Sequence, residues 1–346
     1  MKTKKYFAAA NGYDGFISYF DKVFDPTDFT KIYILKGGPG TGKSSLMRKI
    51  LTIAEGHGAI CEAILCSSDK DSLDGIICKN GDKQIAVIDG TAPHERDTVL
   101  PGAVDELINL GDNWDSRWLF AKRDEIRNLN LEKKSAYITA YSYLKIAGYA
   151  SREMRKLIKS ECNAKNVKSL AKSLAETIES TIGKSSVRLV SSFGKQGYYR
   201  LDTLESSAKK HYTLIGDPAY TSVFLNSVYD ILSLRSAEMT VFPSPLEREE
   251  TEALFISGGD IVISGAADGE AIDLSEFLKS DPLTEERIKA MQELKHTALE
   301  SAKRWFGIAS DFHFRLEEIY KMSMNFDQNE RITAQKAEEI LQILGS

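Results

Sequence analysis

Several things are scarce in this sequence, and each shortage narrows what the chain can be. No apolar run approaches the roughly 18 residues that span a bilayer, and the basic start at residues 1–5 leads into no signal-peptide core. Only four cysteines occur, Cys61, Cys66, Cys78 and Cys162, with no C-x-x-C pair and no histidine at zinc spacing, so reduced thiols in a cytoplasm are expected. The formal net charge is only −5, which supplies no overall attraction to nucleic acid or to an anionic membrane surface. Proline is missing throughout residues 117–162, so nothing there has to break a helix. What remains is 346 residues, 42% hydrophobic and 27% charged, a mix that suits a water-soluble protein of two domains.

The most informative stretch is residues 31–47, K-I-Y-I-L-K-G-G-P-G-T-G-K-S-S-L-M. An apolar strand (Ile32, Tyr33, Ile34, Leu35) runs into a glycine-rich turn, and a helix opens at Lys43. Gly37, Gly42, Lys43 and Ser44 satisfy G-x-x-x-x-G-K-[ST] in the strand–loop–helix setting that motif requires. Glycines let successive backbone N–H groups turn inward around a phosphate, and the helix N-terminus adds partial positive charge. The cradle would comprise Gly38, Pro39, Gly40, Thr41, Gly42, Lys43, Ser44 and Ser45, with Lys43 reaching the outer phosphates and Ser44 a ligand of Mg²⁺. A plain glycine turn would leave Lys43 and Ser44 unexplained.

A second strand is expected over residues 59–66, followed by the polar run S-S-D-K-D-S-L-D. A third, residues 84–89, ends on Asp89 about 45 residues past the loop, with one strand expected between. An apolar strand ending in Asp is the pattern of a second Mg²⁺ ligand in such enzymes. His94, five residues on, is a candidate to sense a γ-phosphate or position water, and equally a histidine hydrogen-bonded within its loop. No Glu follows Asp89, so a general base is not evident. Asp69, Asp71 and Asp74 either orient water, Mg²⁺ or a second substrate, or cap turns.

From residue 101 to about 183 the pattern reads as helix, beginning with Val104, Leu107, Ile108 and Leu110, and its length fits a helical hairpin or small bundle standing off the sheet. Then the chain starts again. Residues 210–225 echo 31–46 without a gap, 260–265 echo 85–90, and 337–340 echo 175–178. Tandem duplication is the expectation, with halves 1–183 and 184–346 and helical portions at about 101–183 and 275–346. The second copy has Ala219, Thr221, Ser222 and Val223 where the first has Gly40, Gly42, Lys43 and Ser44, and Ser264 in place of Asp89. Asp217 would repel a phosphate, so this half is expected to bind triphosphate poorly.

At G37-G-P-G-T-G-K-S44, C66-S-S-D-K-D-S-L-D-G75 and D89-G-T-A-P-H94 the chain resembles a family of bacterial P-loop NTPases of unassigned role, built as two tandem nucleotide-binding halves. The resemblance implies an α/β, three-layer P-loop NTPase fold in each half, a helical appendage on each, and ATP as the nucleotide. Members often keep a P-loop in both halves; this chain departs from that, which argues against a symmetric two-site ATPase. The expected activity is Mg²⁺-dependent ATP hydrolysis that drives a change of shape or partner, with Lys43, Asp89 and His94 as catalytic candidates. The alternatives are a small-molecule kinase and a nucleotide-gated binding module that does not hydrolyse. Residues 117–159 carry eleven basic and four acidic side chains, against eight of each in 279–321. That run suits a solvated helix face, a lid bringing Arg123, Arg127 or Arg152 over the phosphates, or a dock for a protein or nucleic-acid partner. Tyr137 and Tyr141, four apart, share a helix face and read as packing.

Overall fold

The computed structural model describes residues 3–161, 164–204, 208–258, 260–265, 269–277 and 281–345. Cys162 lies outside the described residues.

The N-terminal part runs β1 (Lys4–Phe7), a hairpin of β2 (Ala9–Gly12) and β3 (Gly15–Ser18), α1 (Phe20–Val23), β4 (Lys31–Lys36), α2 (Lys43–Gly56), β5 (Ile60–Leu65), β6 (Leu73–Asn80), β7 (Lys83–Asp89) and β8 (Asp105–Asn109). Helices α3 (Ser116–Ala121), α4 (Arg123–Glu161) and α5 (Ala164–Thr177) follow. The C-terminal part runs β9 (Ser186–Val187), β10 (Ser191–Gly194), β11 (Gly197–Arg200), β12 (Lys210–Ile215), α6 (Pro218–Ser233), β13 (Met239–Pro243), β14 (Thr251–Ile256), β15 (Ile261–Ser264), β16 (Glu270–Asp273), α7 (Pro282–Ser323) and α8 (Phe326–Gly345).

Two six-stranded sheets result, ordered β1-β5-β6-β7-β4-β8 and β9-β13-β14-β15-β12-β16. The same succession of strands thus recurs in each. Both sheets are mixed, not mostly parallel, because β6 and β14 run antiparallel to both their neighbours. Two strands therefore separate α2 from β7, where one was expected, and residues 105–109, read as helix, form an edge strand beside β4.

Side-chain alternation assigns each sheet two faces. On β4, Tyr33 and Leu35 join a core with Met47 and Ile50 of α2, whereas Ile32 and Ile34 turn the other way. That second face shares one apolar cluster with Phe242, Ala253 and Val262 of the other sheet. Neither sheet is therefore sandwiched between long helices of its own half, as three layers per half would require. At the junction, Phe7 and Leu189 exchange backbone hydrogen bonds in both directions, 2.8 and 2.9 Å.

Strands that precede residue 183 form one six-stranded sheet and strands after it the other, while helices α5 and α8 each pack on the opposite sheet. Val167, Ala171 and Ala175 of α5 pack with α6 on the second sheet. Ala337, Ile340 and Leu344 of α8 pack with α2 on the first. Each segment has apolar residues three or four apart, which makes one buried stripe per helix. Burying Ile340 and Leu344 alone contributes roughly 3–6 kcal/mol by transfer estimates. The two long helices pair antiparallel, Leu129 with Leu316, Leu144 with Phe306 and Ala147 with Ala298. The expected helical hairpin thus takes one long helix from each half. Tyr137 and Tyr141 pack edge-on against Phe306, as their spacing suggested.

Candidate functional site at the glycine loop

The loop between β4 and α2 is shaped by Gly37, Gly40 and Gly42, whose φ values of 144°, 72° and 87° are left-handed. Gly42 ends that run, and α2 begins at Lys43 with its first turn pointing into the loop. The Thr41 hydroxyl donates to the Gly38 carbonyl at 2.9 Å and holds the turn tight. Lys43 Nζ folds back over the loop and donates to the Gly37 and Gly38 carbonyls, each at 2.9 Å. It also lies 3.6 Å from Asp89 Oδ2. Ser44 Oγ accepts from the Leu73 amide at 3.1 Å. Ser45 is exposed at the helix start, and Pro39 lies half-buried at the loop's bend.

Asp89 ends β7 directly beside β4, with Leu35 as its partner in register. Its Oδ1 accepts from the Thr91 amide (2.9 Å) and hydroxyl (2.6 Å), leaving Oδ2 toward Lys43. Among the described residues no three His, Cys, Asp or Glu side chains gather as a metal cluster. Mg²⁺ in phosphate sites typically takes one or two protein oxygens and leaves the rest of its shell to phosphate and water. Ser44 Oγ and Asp89 Oδ2 are the oxygens at the loop that could serve as such donors.

Asp74 emerges as the second carboxylate of the site. The antiparallel register that opposes Gly75 to Ile88 carries Asp74 beside Asp89. Burial, reinforced by the Asp89 carboxylate against the pull of His94 and Lys43, lifts its pKa to about 6. Burial and the same Asp74 carboxylate push the Cys66 thiol up. His94 is buried, stacked on Phe20 with ring centres 4.3 Å apart, and its Nε2 stands 4.0 Å from Asp74 Oδ1. Among the described residues neither ring nitrogen has a hydrogen-bond partner. His94 therefore backs Asp74 from within an aromatic pocket. Among the described residues it has no hydrogen bond to its own loop, the alternative its position offered. Asp69 and Asp71 go elsewhere, Asp69 to Lys195 at 2.9 Å and Asp71 to Lys70 at 3.2 Å.

What covers the loop was not foreshadowed by any motif. The elbow between α7 and α8 lies across it. A Cβ on Gly40 would stand 2.5 Å from the Glu317 carbonyl oxygen, and one on Gly38 would stand 3.0 Å from the Tyr320 ring. Asn329 Nδ2 donates to the Thr41 carbonyl at 2.8 Å, while its Oδ1 accepts from Asn113 Nδ2 at 2.8 Å. Trp114 leans on Tyr320 with ring centres 5.7 Å apart. The arginines considered as lid residues are engaged elsewhere or exposed. Arg152 binds Asp14 and Glu247, Arg123 lies over the Phe120 ring, and Arg127 faces outward on α4.

The corresponding place in the second sheet is built differently. Only Gly216 and Asp217 separate β12 from α6, against six residues between β4 and α2. Ser222 Oγ accepts from the Thr251 amide at 2.9 Å, which is the same contact, over the same separation of 29 residues, as Ser44 with Leu73. The echo is therefore not gapless: Ser222 stands where Ser44 does, one residue earlier than aligned. In the strand register Thr213 opposes Ser264 as Ile34 opposes Ile88, so Gly265, not Ser264, falls at the place of Asp89. A helix that starts at once leaves no loop to wrap a phosphate. Comparisons with protein-family profiles, with curated proteins and with solved structures return no match to this chain.

Proposed function

We propose that this chain binds a nucleoside triphosphate with Mg²⁺ at residues 37–45 and hydrolyses it slowly, and that the bound nucleotide alters the contact with the α7–α8 elbow. One observation carries this reading. Lys43 sits at the mouth of a loop with three left-handed glycines, held by two carbonyls of that loop and 3.6 Å from Asp89. Such an arrangement suits a phosphate that takes the ammonium in exchange. The preference for adenine rests on the resemblance of the motifs. The shared strand order and the matching Ser44 and Ser222 contacts support a P-loop fold duplicated in tandem, with the second copy disabled by loss of its loop.

In this reading the loop amides and Lys43 orient the outer phosphates. Mg²⁺ held by Ser44 Oγ and Asp89 Oδ2 would offset phosphate charge. Asp74 takes a proton from the attacking water as its oxygen bonds to the terminal phosphorus and the bridging P–O bond breaks, releasing the diphosphate. His94 then holds the Asp74 carboxylate in place. The test is nucleotide binding and phosphate release, with Mg²⁺, for wild type and Lys43→Ala. Steady release that vanishes in the variant is expected; equal activity in the two proteins overturns the assignment. A second reading, a gate without turnover, is favoured by the Asn329–Thr41 hydrogen bond that ties the elbow to the loop. Tight binding without phosphate release would select it.

A further inference from the structure

Helix α4 is amphipathic twice over. One stripe is buried against α7 through Leu129, Ala136, Ala140, Leu144 and Ala147. The opposite side ought to be polar throughout on a solvated helix. It is not. Leu131, Ser135, Ile138, Ser142, Ile146 and Tyr149 succeed one another at spacings of three and four, which puts them in one line on the outer face. All six are exposed, and Leu131, Ile138 and Tyr149 are each more than half exposed. Large side chains alternating with serines form knobs and gaps, the relief that lets one helix pack into another.

The same line continues in both directions into charge. Arg127 and Asp124 extend it at one end, Glu153 and Lys156 at the other. The order of signs identifies the occupant. If a second α4 is laid antiparallel about a two-fold axis passing residue 140, Leu131 meets Tyr149 and Ile138 meets Ser142. Arg127 then meets Glu153, and Asp124 meets Lys156. A parallel arrangement would set each of these charges against its own copy. An acidic helix or a nucleic-acid backbone would answer the overall excess of basic groups on residues 117–159 but would meet Asp124 and Glu153 with like charge. Within one chain, Glu153 pairs with Lys156 at 2.6 Å. From residue 124 to 156 the stripe runs about 48 Å at the rise of an α-helix, ample for a helix–helix interface.

We propose that the outer face of α4 is a homodimer interface, in which two copies of this chain pair antiparallel through the stripe centred near residue 140. No residue of the glycine loop takes part, so the dimer stands or falls independently of nucleotide binding. The test is the mass of the full chain in solution, by sedimentation velocity across a concentration series, with helicity followed by circular dichroism. Wild type is expected to be a dimer at low-micromolar concentration, and Ile138→Glu a monomer of unchanged helicity. Arg127→Glu should weaken the dimer by roughly tenfold, equivalent to about 1.4 kcal/mol, and adding Glu153→Arg should restore it. A wild-type monomer throughout the series overturns the proposal, whether or not the chain retains an acidic peptide or DNA. So does an Ile138→Glu dimer, and failure of the double reversal overturns the antiparallel register.

Discussion

Asp74 and Glu252 hold comparable places, at the starts of β6 and β14, and burial raises both. Asp74 reaches about 6 and Glu252 about 7. The consequences differ because the surroundings differ. Asp74 faces Lys43, Asp89, His94 and the Cys66 thiol, so its ionised form can take a proton from water near neutral pH. Phosphate release should rise as pH climbs through about 6 and level off above. Asp74→Asn should lower turnover by roughly 100-fold or more while nucleotide binding persists, as read by steady-state kinetics beside a binding titration. Glu252 instead takes hydroxyls from Ser191 and Tyr198 under the β10–β11 hairpin. Because its folded pKa lies above the usual 4.5, the folded state holds an extra proton between about 4.5 and 7. Stability therefore falls as pH rises through that window, by on the order of 3 kcal/mol for a shift of that size. Glu252→Gln, which mimics the protonated acid, should raise the thermal midpoint at pH 8 and leave it nearly unchanged at pH 4.

At the scale of elements, the elbow between α7 and α8 holds the loop through Asn329. Asn329→Ala would leave the Thr41 carbonyl and the Asn113 amide without their partner and should cost about 1–3 kcal/mol in thermal or denaturant unfolding. It should also speed nucleotide entry in stopped-flow binding, if the elbow must lift to admit a triphosphate. Unchanged entry together with lowered stability would limit Asn329 to a structural tie. The strand, loop and helix around Gly37–Ser45 were legible because local chemistry dictates them: an apolar run, three left-handed glycines and a helix start, all within a dozen residues. β6 is hard to read in the sequence because Asp74 and Gly75 interrupt its apolar residues Leu73, Ile76, Ile77 and Cys78. Yet Gly81-Asp82 between β6 and β7, with Gly81 at φ 58° in the first turn position, is a two-residue hairpin signature that marks it. β8 is ambiguous in the sequence because Leu107 and Ile108 fit a helix as well as a strand, and pairing with β4 decides. Tyr320 and Asn329 could not be foreseen: nothing in an amphipathic pattern says which of two sheets a helix will cover.

The whole molecule is tied together by exchange. α5 completes the second sheet's helical layer and α8 completes the first's, so the division at residue 183 separates strands without separating folding units. A fragment of residues 1–183 should be largely unfolded or aggregated, because α2 and the first sheet lose Ala337, Ile340 and Leu344. Coexpression with residues 184–346 should recover a soluble complex, as size-exclusion chromatography would report. A stable, monomeric 1–183 fragment would show that the exchange is dispensable. The same arrangement also sets an order of events at birth. A sheet whose last strand ends at Asn109 must wait for a helix that begins at Phe326. At ordinary translation rates of about 5–20 residues per second, that gap lasts roughly 10–40 s. Through that interval the apolar groove of the first sheet has left the ribosome without its cover, so chaperone demand during synthesis should fall on the earlier half of the chain, and the arrival of α8 should end it.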